Sequence, residues 1–234
     1  MNNTWGVGGT TKHFACLIFG IALMAASVAM AKIALLGTSP ISSVPNVLSE
    51  LTPLTIGQWT IVYMVLLIIL EWIVLGHYFD WHNVIQIIPS AFFGVMIDTF
   101  VRLLHFLTTS NYLLQLLLTL LSIVLLATGV FFEVNSRTLM MAGEGITAAF
   151  AFRKKMAFGR MKVRVDVSMV LLALLLSFGF GRQLIGVREG TVLSALLSGR
   201  IVGLIETHLP KLKIWVSGVT EDGEVVATSV KQSK

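Results

Sequence analysis

An all-α, polytopic membrane fold of about six spans is the class this sequence predicts, and three observations predict it. The 234 residues are 56% hydrophobic and only 12% charged, against about 25% charged in an ordinary soluble domain. A water-soluble fold of this length would lack the polar surface to cover itself. The apolar residues come in runs of the length a helix needs to cross a bilayer, roughly 20 residues, and mean hydropathy is +0.86. The basic residues gather in one loop and near the chain ends. That asymmetry orients a membrane protein, so the net charge of +5 does not read as a nucleic-acid interface.

The predicted spans are 14–36, 57–77, 84–107, 111–133, 165–181 and 190–209. Lys12 before the first run resembles a signal peptide, but the run from Phe14 to Leu36 is too long for a signal core. It reads as a retained span. Trp59 opens span two, and Trp72 and Trp81 lie near its far end, where an aromatic belt belongs. Residues 38–52 and 142–153 are too short and too polar to cross. Each reads as a short helix after a glycine-containing break, and Ser39-Pro40 supplies a cap followed by proline at the first helical position. The chain then divides into an N-terminus at 1–13, a first unit at 14–107 with its short helix at 39–51, and a second at 108–209 with its short helix at 143–153. The tail at 210–234 is either disordered or a hairpin, with 215–219 facing 224–228 around Asp222-Gly223.

The halves resemble each other at an offset of about 105 residues: Lys32 meets Arg137, Ile41-Ser42 meets Ile146-Thr147, and Gly94 meets Gly199. Near Gly57 and Gly159 the register slips. Between spans four and five lie Arg153, Lys154, Lys155, Arg160, Lys162 and Arg164 with no acidic residue among them, which predicts a cytoplasmic loop and cytoplasmic termini. A unit of three spans leaves the membrane on the side opposite its entry, so the second unit is expected to be inverted. Inverted repeats with broken helices near the midplane are a recurring transporter architecture.

Polar residues inside the spans are the candidate site. Asp98 in span three and Arg200 in span six each carry a charge that is costly at the bilayer centre, about 2.5–3.5 kcal/mol on insertion scales. They are expected to face inward and interact, as part of a solute or proton path or as a structural ion pair. Ser39, Ser42, Ser43 and Asn46 sit at the start of the first short helix. A half-helix N-terminus offers free N–H groups to an anionic or carbonyl-bearing ligand, although hydroxyls there also serve as plain caps. Glu144 and Thr147 hold the corresponding place in the second half, where Glu144 either complements the helix dipole or accepts a cation or proton. Lys32, Glu71, Glu133 and Arg137 lie near span ends and read as solvated or snorkelling. The five histidines fall at span ends without ligand spacing, so no metal is expected. Gly6-Val-Gly-Gly9 is no phosphate loop, and the single Cys16 excludes an internal disulfide.

Leu36-Gly37-Thr38-Ser39-Pro40, Leu48-Ser49 and Thr55-Ile56-Gly57-Gln58-Trp59 resemble the YczE/YitT-type family of bacterial integral membrane proteins. Met141-Ala142-Gly143-Glu144-Gly145 is a degenerate counterpart without the proline. The resemblance covers about 15–210, and the short tail favours the YczE-like branch. It implies a bacterial inner-membrane location and little chemistry. The expected function is a permease or exporter of a small polar solute, with no cofactor and no enzymatic activity. The alternatives are a substrate-binding membrane subunit that depends on a partner ATPase and a non-transporting accessory factor. The expected partners are the lipid bilayer, the solute, and a second copy or partner subunit.

Overall fold

A computed structural model of the chain describes residues 7–181 and 186–218. Among them there are helices and no strands. The order is α1 (Val7–Ile33), α2 (Pro40–Leu51), α3 (Ile56–Leu75), α4 (Trp81–Val84), α5 (Ile87–Leu103), α6 (Tyr112–Asn135), α7 (Ala142–Lys154), α8 (Phe158–Gly181), α9 (Glu189–His208) and α10 (Pro210–Ser217). Five are long and apolar enough to cross a membrane: α1, α3, α6, α8 and α9.

The expected third span is shorter than predicted. A 3-10 turn at Gly76–Tyr78 and the single turn of α4 consume the residues before Ile87, leaving α5 with 17 residues, about 26 Å at the helical rise. The fifth span starts earlier than predicted, at Phe158. Arg160, Lys162 and Arg164 therefore belong to a helix and not to a loop. The hairpin expected in the tail is also overturned at its start. Trp215–Ser217 is helical, because Pro210 opens α10 and Gly218, at φ 63°, closes it. The hairpin's second strand, 224–228, lies outside the described residues.

The short helices fall where the sequence puts them. The chain turns into α2 through Leu35 (φ 60°) and Gly37 (φ 99°), and into α7 through Arg137 (φ 54°). The second break thus uses an arginine in the left-handed region.

The main packing is α1 on α6, α3 on α5, and α8 on α9. α5 and α9 also lean on α1 and α6 respectively, α2 rests on α8, and α7 rests on α3. Glycines set three close crossings. A Cβ on Gly20 would come within 2.7 Å of the Gly129 carbonyl oxygen, and one on Gly129 within 2.7 Å of the Gly20 oxygen. Gly57 meets Gly94, and Gly159 meets Gly199, in the same reciprocal way. α1 and α6 run antiparallel: Gly20 lies against Gly129, and further along α1 the Ser27 hydroxyl donates to the Ser122 carbonyl at 2.6 Å.

The distribution of polarity is that of a molecule solvated by lipid. Leu66, Ile73, Val95, Leu117, Leu175 and Leu204 are exposed, while Glu71, Glu133, Glu144, Lys162 and Asp166 are buried. In water, an apolar girdle of this extent would be an association surface.

Candidate functional site

The N-termini of α2 and α7 meet inside the bundle. A Cβ on Gly143 would collide with the Ile41 side chain, so α7's second residue is the seat for α2's second residue. Gly37 brings the chain to this point, and the Gly190 amide donates to the Leu36 carbonyl at 2.8 Å, pinning the break to α9. Ser39 has the extended backbone of an N-cap (φ −62°, ψ 152°) but its hydroxyl makes no capping bond.

The polar side chains here divide into satisfied and unsatisfied. The Ser43 hydroxyl donates to the Pro40 carbonyl at 2.6 Å. Asn46 accepts from Lys32 at 3.0 Å and donates to the Gly186 carbonyl at 3.2 Å. The Thr147 hydroxyl donates to the Gly143 carbonyl at 3.0 Å. By contrast the hydroxyls of Thr38, Ser39, Ser42 and Thr191 are buried with no hydrogen-bond partner among the described residues. Buried polar groups usually have partners, and exceptions call for an explanation. Thr38 also lines an open groove of about 380 Å³, shared with Lys32, Asn46, Glu50, His105 and Arg188.

On the α7 side the site is charged. Lys162 of α8 reaches Glu144 at 3.2 Å and Asp166, one turn further along α8, at 3.0 Å. Asp166 also accepts from the Ser198 hydroxyl of α9 at 2.9 Å. Glu133 of α6 accepts from the Met141 amide, and the Ala142 amide donates to the Ser90 hydroxyl at 3.1 Å. All four charged side chains are at most 2% exposed. The second carboxylate oxygens of Glu133 and Glu144 have no hydrogen-bond partner among the described residues. Nearby, Glu71 accepts from Asn83 at 2.6 Å and from Gln86 at 3.0 Å, and Gln86 fills the space beside Gly145. Sequence reading placed Glu71 and Glu133 in solvent at span ends. The structure buries both: Glu71 lies where α7 packs on α3 and accepts from Asn83 and Gln86, and Glu133 accepts from the Met141 amide just before α7.

Asp98 and Arg200 do not form the expected central pair. Asp98 is half-buried and accepts from the Thr55 hydroxyl at 2.6 Å and from the Gly57 amide at 3.0 Å. It caps the N-terminus of α3, where free N–H groups and partial positive charge favour a carboxylate. Arg200 is exposed and lines a separate groove of about 580 Å³ with Arg160, Arg164 and Glu206. The physical reason is depth: α5 starts at Ile87, which carries Asp98 to the level of α3's first turn. Asp98→Asn should cost about 1 kcal/mol, the usual worth of a lost cap. Arg200→Leu should add to it without coupling, within about 0.5 kcal/mol as for separated sites. Thermal unfolding of the two single variants and the double variant checks this.

Lys162, Asp166, Ser198, Thr38 and Thr191 were missed by sequence reasoning. One signal could have found two of them: Lys162 and Asp166 are four apart, an i,i+4 pair on one helical face. Among the described residues no three His, Cys, Asp or Glu side chains converge as metal ligands do.

An apolar exterior, buried charge and two short helices ending inside the bundle define a polytopic helical membrane protein. Within that class, the chain belongs to a family of unknown function, DUF6198, whose model matches residues 11–207. Neither a curated protein nor a solved structure matches it.

Proposed function

We propose that this protein is a permease for a small polar solute, held where the N-termini of α2 and α7 meet. The observation that carries the reading is that junction: two half-helices end at Ile41 and Gly143 inside the bundle, with the unsatisfied hydroxyls of Ser39 and Ser42 on one side and the free carboxylate oxygen of Glu144 on the other. Backbone that stops short at membrane depth survives where protein or a water-lined cavity surrounds it, and broken helices of this kind form the solute sites of many transporters.

The same reading takes the chain as two inverted three-helix units and α5 as a sixth span. Aligned on their short helices, the halves have an offset of 102 residues: Pro40 to Ala142, Leu35 to Arg137 and Gly57 to Gly159. Exchanging α1, α2, α3 and α5 for α6, α7, α8 and α9 maps each of the main packing pairs onto another, the contact of α2 with α9 excepted. Parity supports the sixth span. α1 and α6 are antiparallel, which needs α3 and α5 both to cross between them. Lys12 also donates to the Trp215 carbonyl and lies 4.2 Å from that indole's centroid, so both ends of the bundle's chain lie at one face. Arg153, which donates to the Val74 and Leu75 carbonyls at 2.9 and 3.0 Å, leads into the basic stretch. By the positive-inside rule that face is cytoplasmic, and the YczE-like resemblance supports a bacterial inner membrane.

Two measurements test this. A cysteine placed at Lys155 should label from the cytoplasmic side only, with a low background because the native Cys16 is buried; external labelling would overturn the topology. A thermal-shift screen of metabolites on the purified protein should find a ligand that raises its unfolding temperature. Ser42→Val and Glu144→Gln should weaken that shift while leaving the unliganded midpoint nearly in place. A ligand whose shift is indifferent to both changes would overturn the site.

A further inference from the structure

The Lys162 cluster has an unbalanced charge. It brings two carboxyl groups, Glu144 and Asp166, to one ammonium, a third, Glu133, holds the amide just before α7, and all four side chains are at most 2% exposed. Lys162 and Asp166 neutralise each other at 3.0 Å, and the Ser198 hydroxyl completes Asp166 at 2.9 Å. That leaves Glu144 sharing Lys162 with Asp166, at 3.2 Å, and Glu133 with one backbone amide, Met141. Each keeps an oxygen without a hydrogen-bond partner among the described residues. Met141 is the residue before α7 and Glu144 lies in that helix's first turn, so both carboxyl groups belong to the start of α7.

Two uncompensated carboxylates at this depth would cost several kcal/mol each. A group in that position takes up a neutralising partner. Among the described residues no three His, Cys, Asp or Glu side chains converge as metal ligands do, whereas a proton needs a single free carboxylate oxygen.

We propose that Glu133 and Glu144 form an exchangeable proton site, and that this proton is the coupling ion of the permease. The proton comes from water and bonds to a free carboxylate oxygen of the pair; its loss returns a carboxylate, with no other bond made or broken. The second half of the proposal rests on the permease reading, while the first does not. α1 packs on α6 and carries Lys12 and His13 near its N-terminal end, with Lys12 at Trp215, and Lys32 at its C-terminal end. α3 contributes Tyr63, which lines a groove with Ile146 and Val165, and Glu71, which is held by Asn83 and Gln86. α8 contributes Lys162 and Asp166. α5 and α9 contribute only the hydroxyls of Ser90 and Ser198. Lys162 is the cation in contact with the pair, through Glu144.

The geometry also links the proton to the solute junction. Glu144 follows Gly143, the seat of Ile41, and α7 carries both. Aligned at the 102-residue offset, Glu133, Glu144, Lys162 and Asp166 fall on Ala31, Ser42, Thr60 and Met64. The first half therefore has two hydroxyls and two apolar side chains where the second has charge, so only one half of the junction can carry a proton.

Infrared spectroscopy of the purified protein in lipid nanodiscs tests the site with the proton itself as the probe. At neutral pH the carbonyl stretch of protonated carboxylic acid should be present, should shift in D2O, and should lose intensity in the Glu133→Gln/Glu144→Gln double variant. Asp98→Asn, remote from the cluster, should leave it unchanged. Glutamine is isosteric with a neutral glutamic acid, so the double variant should unfold within a few degrees of the parent. If it does not fold, the difference between wild-type spectra at neutral and high pH carries the test, and it should show acid converting to carboxylate. An identical acid band in the parent and the double variant would overturn the proposal. So would a carboxylate band at neutral pH that responds to Na⁺ or K⁺, which would assign the site to a metal cation. A persistent proton band with no solute found in the metabolite screen would leave the proton site standing and remove the permease.

Discussion

Replacing Lys162 by methionine should be among the most damaging single changes in this protein. The side chain is 2% exposed and is the bridge between Glu144 and Asp166. Methionine fills most of the volume but leaves Asp166 as a buried charge with only the Ser198 hydroxyl. Removing one member of a buried ion pair typically costs about 3–5 kcal/mol, which for a protein of ordinary stability is a large part of the total. The expected result is a strongly lowered unfolding temperature in detergent and reduced yield. Adding Asp166→Asn should recover part of the loss, because the uncompensated charge is then gone. A double-mutant cycle should give a coupling of about 0.5–3 kcal/mol. Strict additivity would mean that the pair does not interact as its geometry indicates.

Gly37→Ala should be nearly as severe, for a backbone reason. Gly37 has φ 99°, a region that side-chain-bearing residues enter only at a cost of about 1–3 kcal/mol. An added Cβ would also collide with the Thr191 hydroxyl and lie 2.9 Å from the Arg188 amide nitrogen. Backbone cannot move aside as a flexible side chain does, so α2 would have to shift away from α9. Thr38, Ser39 and Ser42 would move with it. The expected readout is a lowered unfolding temperature and loss of any ligand-induced shift that the parent shows. Thr191→Gly in the same chain removes the side-chain clash but not the strained φ, and it should restore only part of the stability. Full recovery would show that the glycine is needed for space alone.

Membrane character was legible because it depends on amounts: too many apolar residues and too few charges for water, in runs of bilayer length. The short helices were legible because their signals are local. Ser39-Pro40 opens one, and the Ala-Gly-Glu-Gly run at 142–145 opens the other close to where it was expected. Span ends were less legible, since apolar periodicity does not reveal that 3-10 and single-turn segments intervene before Ile87 or that α8 starts among basic residues. The positive-inside rule counted Lys162 as a loop charge. In the folded chain it is the buried partner of two carboxylates, and nothing in its neighbourhood of sequence except the i,i+4 spacing to Asp166 marks it.

Asp98 and Arg200 illustrate the limit from the other side. Each is a charge inside an apolar run, and cost alone argued for a meeting between them. Where such a charge finds its partner depends on depth and rotation of the helix, and those are set by packing. Asp98 reached the unpaired amides of α3 instead, and Arg200 reached a groove at the surface. The sequence by itself determined the solvent of this protein, the number of apolar helices to within one, and the two places where a helix stops short. Only the tertiary structure decided which charges are buried together. Burial of a side chain depends on helices brought together from distant parts of the chain, and Glu133, Glu144, Lys162 and Ser198 come from four of them.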